Sequence, residues 1–107
     1  MIKSYNFTAK DNFNSIAGIP MQSKSGETIT VVGAAIDERP NADGEAQEVG
    51  LLVGSDGTVY TGISGTAIRG IEMLIDYMNE ENLSEVEIQF VSQQSKQGRT
   101  FITLRLV

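Results

Sequence analysis

Short runs of β-branched and apolar residues, each closed by a turn bearing Gly or Asn, recur through this chain, and one segment alone has a helical period. ETITVVGAAI (27–36), EVGLLVG (48–54), TVYTGIS (58–64), VEIQFV (86–91) and RTFITLRLV (99–107) read as strands. In GTAIRGIEMLIDYMNEEN (65–82) the residues Ala67, Ile68, Ile71, Leu74, Ile75 and Met78 recur at three and four. That spacing puts them on one stripe of a helix of about four turns. Ser64 or Thr66 suits its start and Asn82 its end.

The turns carry their own signals. Ser55-Asp56-Gly57 separates the second and third runs, and Asp-Gly supplies the positive φ of a tight hairpin. DERPNADGEAQ (37–47), with Pro40 and Gly44, reads as a long polar loop. QSKQGRT (94–100) joins the last two runs and has a near copy in QSKSGET (22–28). The flanks match only in the turn and the strand after it, so this is turn chemistry used twice, with Gly26 and Gly98 meeting the same backbone need. Lys96-Gln97-Gly98 fits a type I turn closed by Gly in the left-handed region. Before Gln22 the chain mixes turn formers with isolated Phe and Ile, and reads as an arm with a short strand near Ile16–Met21.

Three strands, a helix and two strands is the order of the OB-fold, a five-stranded Greek-key barrel with its helix between strands three and four. The expectation is a mainly β, single-domain chain: an arm over residues 1–27 and a barrel over 28–107. An open α+β meander with the helix on one face is the competing arrangement. The barrel is preferred because Gly33, Gly50, Gly54 and Gly62 fall in or beside strands, where a sharply coiled sheet needs them.

What is missing narrows the chemistry. The chain has no Cys and no His, which removes disulfides, thiolate and imidazole metal sites and the usual nucleophile–base pairs. No catalytic set, metal site or cofactor is expected. Gly54 and Gly57 lack the Lys and the strand-to-helix setting of a phosphate loop, and the acids at 37, 38, 43, 45 and 48 do not have calcium-loop spacing. No stretch has the length of a membrane span or the apolar core of a secretory signal, so the expected location is a cytoplasm.

The net charge of −6 hides a segregation. Residues 37–87 hold twelve acids against two Arg, whereas residues 88–107 hold Lys96, Arg99 and Arg105 and no acid. Single-strand binding without sequence preference asks for cations along the phosphates and flat faces for the bases. Strand five offers both: Phe101 alternates to the face away from Ile102 and Leu104, between Arg99 and Arg105. Tyr60 likewise alternates away from Val59 and Thr61, and Lys24 in the twin turn and Arg69 on the helix are further cationic candidates. Two placements stay open for each ring. Phe101 either stands outward among cations or fills a second small core, and Tyr60 is either a stacking face or a cross-strand packing partner with its hydroxyl wet.

TVYTGISGTAIRGIEMLIDY (58–77) and IQFVSQQSKQGRTFITLRLV (88–107) resemble the single-stranded-DNA-binding proteins encoded by small bacteriophages and related mobile elements of Gram-positive bacteria. The resemblance covers roughly residues 28–107 and rests on element order and the Lys/Gly/Arg hairpin. It implies an OB-fold coating exposed single strands during replication or recombination in a bacterial host, with replication or recombination proteins as further partners. The acidic middle and the absence of Trp depart from a strong stacking binder. Two functions from different classes therefore stand: sequence-independent single-stranded DNA binding, or a non-enzymatic protein-interaction or structural module of a phage or plasmid assembly. RNA would be served by the same groups.

Overall fold

In the computed structural model, which describes all 107 residues, the run that begins at Thr28 does not stop at Ile36. It continues as one thirteen-residue strand, β3 (Thr28–Pro40), antiparallel to β4 (Ala46–Gly54) with pairs from Val31↔Gly54 out to Pro40↔Ala46. The long loop expected over 37–47 is therefore corrected to a turn at 41–45 on an extended hairpin. Polar side chains do not stop this ladder: Glu38 and Pro40 are solvated, Asp37 and Arg39 pair with each other half-buried on the other face, and Pro40 sits at the terminal pair, where a missing N–H costs least.

Before β3 the arm is more structured than its composition announces. β1 (Lys3–Tyr5) pairs with β3, α1 (Ala9–Asn14) follows, and β2 (Ile19–Pro20) lies parallel to β5 (Val59–Gly62). The short strand expected near Ile16–Met21 is thus Ile19–Pro20, flanked by 3₁₀ turns at Ser15–Ala17 and Met21–Lys24. The helix at 9–14 was not expected. It is nucleated by a reciprocal cap: Thr8 Oγ1 accepts from the Asp11 amide at 3.1 Å, and Asp11 Oδ2 accepts from the Thr8 amide at 3.0 Å.

The remaining elements fall where periodicity put them: α2 (Gly65–Glu80), β6 (Val86–Gln94) and β7 (Thr100–Leu106). Ser64 caps α2, its oxygen accepting from the Ala67 amide at 3.1 Å. Ala67, Ile71, Leu74, Ile75 and Met78 are the buried stripe of this helix. The count is seven strands and two helices, against the five barrel strands, one short arm strand and one helix expected.

All strands join one sheet in the order β2-β5-β4-β3-β6-β7, with β1 beside β3. A bulge between Val31 and Gly33 organises it. Ahead of the bulge Ile29 and Val31 face the main core; beyond it Ala34 and Ile36 do, so the extra residue keeps both halves of β3 pointed the same way. On one edge β3 pairs with β6 up to Val31 and with β1 from Ala34 onward. Gly33 is required there, because a Cβ would strike the Asn6 carbonyl at the end of β1.

The sheet curls around α2 as a half-barrel that stays open between its edge strands β2 and β7. Inside are Leu52, Tyr60, Ile88, Phe90 and Ile102 with the helix stripe, and Met21 is buried against them. On the outside, a second cluster of Ala35, Leu51, Val53 and Val59 lies under Phe7.

Candidate nucleic-acid interface

Three hairpin turns share one backbone design. At 41–45, 54–58 and 95–99 the first residue's amide donates to the fifth residue's carbonyl, and the fourth, a glycine, donates back to the first. Those glycines, Gly44, Gly57 and Gly98, have φ of 79, 88 and 81°. A side-chain acceptor steadies each: Asn41 Oδ1 for the amides of Asp43 and Glu45, Asp56 Oδ1 for that of Thr58, Ser95 Oγ for that of Arg99. At the Asp-Gly turn only Gly57 takes positive φ, so it is a bulged turn and not the two-residue type. The amide of Thr58 holds the Asp56 carboxyl below the usual carboxylate range.

The twin heptapeptides share the glycine and little else. Gly26 also has positive φ, 85°, but its turn follows the 3₁₀ turn at 21–24 and docks on β6, with Gly26 N donating to the Phe90 carbonyl at 2.8 Å. The hairpin at 95–99 instead projects Lys96 and Arg99 into solvent, and neither forms an ion pair.

Below that tip the outward face of β6–β7 is built by register. Gln93↔Phe101, Val91↔Thr103 and Gln89↔Arg105 are cross-strand pairs, and alternation puts all six on one side. Phe101 is half-buried and Arg105 exposed. Arg105 Nη2 donates to Gln89 Oε1 at 2.5 Å, and Gln89 Nε2 donates to the Gly26 carbonyl at 3.2 Å. This relay fastens the guanidinium to the twin turn that carries Lys24. The side chain of Lys24 is itself 3.8 Å from Glu27. From Gln89 to the tip the face carries no acid; Glu87, the next residue inward on that side, closes its lower end.

The expected site is thus assembled in part. Lys96, Arg99, Phe101 and Arg105 share one hairpin, with Lys24 joined to it through Gln89. Arg69 lies apart, exposed on α2 and in no ion pair; Asp76, on the same helix, pairs with Lys3 at 2.6 Å, which holds the Lys3 ammonium above its ordinary value.

The outward placement of Tyr60 is corrected. Its ring is 7% exposed and packs against Phe90 with centroids 5.5 Å apart. Burial, with Asp56 and Glu27 nearby, pushes its phenol above the ordinary value. Alternation misleads on β5 because Val59, on the opposite face, is also buried, under Phe7.

Two features escaped the residue pattern. Gln89 positions Arg105, which only register reveals. Phe13 is the most exposed ring, 72%, on α1, a helix whose Thr-x-x-Asp start was the available sign.

A phage single-stranded DNA-binding protein family model matches residues 4–107. Comparisons with characterised proteins and with solved structures gave no match. No helix is long and apolar enough to cross a membrane. With almost the whole length matched, arm included, the chain belongs to the family of phage single-stranded DNA-binding proteins.

Proposed function

We propose that this chain binds single-stranded DNA without sequence preference through the outward face of the β6–β7 hairpin, and so protects strands exposed during replication or recombination of a phage or mobile element in the cytoplasm of its bacterial host. The observation that carries this reading is the acid-free face itself: Lys96, Arg99 and Arg105 around Phe101, in a chain of net charge −6. Lys24 extends the same rim. The cations meet phosphates and the half-buried ring stacks a base, for about 1–3 kcal/mol. The flanking Gln89, Gln93 and Thr103 offer donors and acceptors that suit any base edge. Tyr60 takes no part in this reading, and Arg69 is left outside it.

The curled sheet, with α2 between β5 and β6, supports an OB-like barrel in which β3 to β7 are the five principal strands and 1–27 an added cover. The acidic β3–β4 hairpin repels phosphates, and so confines the nucleic acid to one side of the molecule.

The test is titration of a labelled homothymidine oligonucleotide across a salt series. The logarithm of affinity falls with the logarithm of salt by about 0.7 per phosphate neutralised, and Arg99→Gln lowers that slope by one such step. An Arg99→Ala/Phe101→Ala variant that binds as tightly as the parent would move the site elsewhere.

A further inference from the structure

In the opening of the half-barrel, between the free edges of β2 and β7, lies a cleft of about 360 Å³. That size falls within the roughly 300–1,000 Å³ of small-molecule sites. Met21, Ala67 and Ile102, all buried, give it an apolar floor. Gln22, Thr61 and Ser64 add polar groups at the walls, and Ile63 stands 59% exposed beside them. No charged side chain lines it. The cleft therefore suits a neutral, flat group with hydrogen-bonding edges, and not an ion, whose charge would go unpaired there.

The order of residues on β7 brings such a group within reach. Phe101 turns to the outer face with Arg105, whereas Ile102, the next residue, turns inward and lines the cleft. Only the free edge of β7 separates the two. That edge is polar. Val107 N donates to the Glu87 carbonyl and Ser95 N to the Arg99 carbonyl, so the odd-numbered residues of β7 direct their N–H and C=O at β6. Ile102 directs both of its groups the other way, where no strand pairs with them. The opposite wall is shared in the same manner: Met21 and Gln22 line the cleft, and Lys24 ends the same 3₁₀ turn, just before the Gly26 turn that the Gln89 relay fastens to the outer face.

We infer that the cleft takes one nucleobase of a bound strand, turned over the edge of β7 next to the base stacked on Phe101. This rests on the β6–β7 face as the path of the strand. A base offers flat faces to Met21 and Ile102, and an edge of donors and acceptors to the Ile102 backbone and the Gln22 amide. Every base has such an edge, so the cleft adds affinity without reading sequence. In a single strand no base pair is lost when a base turns out.

The experiment is an NMR titration of the full chain with two oligomers of equal length: homothymidine, and an abasic counterpart that keeps the sugar–phosphate chain and lacks the bases. Homothymidine is expected to shift the methyl signals of Met21 and Ala67 together with the Phe101 ring and the Arg99 side chain. The abasic oligomer is expected to shift Arg99 and leave both methyls unmoved, because phosphate contacts alone place nothing in the cleft. Gln22→Ala, at an exposed position, is expected to weaken homothymidine binding about two- to tenfold, leave the affinity for the abasic oligomer unchanged and melt with the parent. Homothymidine shifts at Phe101 and Arg99 with both methyls unmoved overturn the inference and leave the binding face standing. Equal methyl shifts with the abasic oligomer overturn it too, since no base would then be needed. Silence at Phe101 and Arg99 overturns the binding face and, with it, this route into the cleft.

Discussion

The outer surface of the curled sheet has two halves that meet different fates. Over β3, β4 and β5 the outward residues Ala35, Leu51, Val53 and Val59 are apolar, and the segment carrying Phe7 covers them. Over β6 and β7 the outward residues are Gln89, Val91, Gln93, Phe101, Thr103 and Arg105, and no segment of the chain packs over them as Phe7 does over the first half. Turns repeat the contrast. The same bulged loop carries Asp43 and Glu45 at one hairpin and Lys96 and Arg99 at another. Backbone design is therefore common to both halves, and what distinguishes a lining from a working face is the side chains hung on it.

The strongest way to break that contrast is to empty a site in each half. Leu51→Ala, at a fully buried position beneath the cover, is expected to cost about 2–5 kcal/mol of stability in denaturant unfolding. Val91→Ala, half-buried on the open face, should stay below about 1 kcal/mol. Equal losses would mean that β6–β7 is covered too, and could not meet a strand.

One phenyl ring on each half, Phe101 and Phe7, sharpens the comparison next. Phe101→Ala is expected to weaken homothymidine binding by about 1–3 kcal/mol and to leave the unfolding midpoint nearly in place. Phe7→Ala should do the reverse, loosening the cover by about 1–3 kcal/mol without altering affinity. Paired binding isotherms and urea melts separate the four outcomes. A Phe7 variant that bound more weakly would extend the interface onto the covered half.

How much of this was legible depends on how many faces each element buries. For α2 and for β6–β7 one face is wet, so periodicity reports orientation directly: the stripe Ala67–Met78 and the side of β7 that Phe101 takes follow from spacing, whereas how far that ring is buried does not. β5 is buried on both sides, and there alternation carries no sign; of the two placements open to Tyr60, the ring takes the packed one, on Phe90. Composition also misjudged β3, whose end at DERP is polar because one face is solvated and the other carries the Asp37–Arg39 pair that holds α1, not because pairing stops. The relay from Gly26 through Gln89 to Arg105 joins residues far apart in sequence, and no local pattern encodes it.

Smaller effects are expected at the repeated turns. Gly44→Ala and Gly98→Ala each force a side chain into the left-handed region, for about 1–2 kcal/mol. Nothing lies within 4 Å of either Cβ position, so the cost is backbone strain alone, and the two melts should agree. Only Gly98→Ala should disturb DNA binding, by shifting Lys96 and Arg99. If Gly44→Ala weakened binding equally, the acidic hairpin would have to touch the strand.

The smallest expected effect concerns how the cover is fastened. Asp37 Oδ1 lies 3.2 Å from the Met1 ammonium, and Oδ2 accepts from Arg39 Nε at 3.1 Å; Arg39 in turn reaches Asn12 of α1. Burial pushes the Asp37 carboxyl up, but hydrogen bonds from Arg39, the Glu38 amide and the terminal ammonium outweigh it and hold the carboxyl below its ordinary value of 3.8. A carboxyl lowered on folding contributes stability above its unfolded pKa and loses it as pH falls through the folded one. The parent should therefore melt slightly above Asp37→Asn at pH 5 to 7, by about a degree or two, and the gap should close as pH drops below about 4. Affinity for homothymidine at pH 7 should be the same for both, because Asp37 belongs to the half of the sheet that the strand does not meet; a gap that persisted in acid would show the fastening to be something other than this carboxylate.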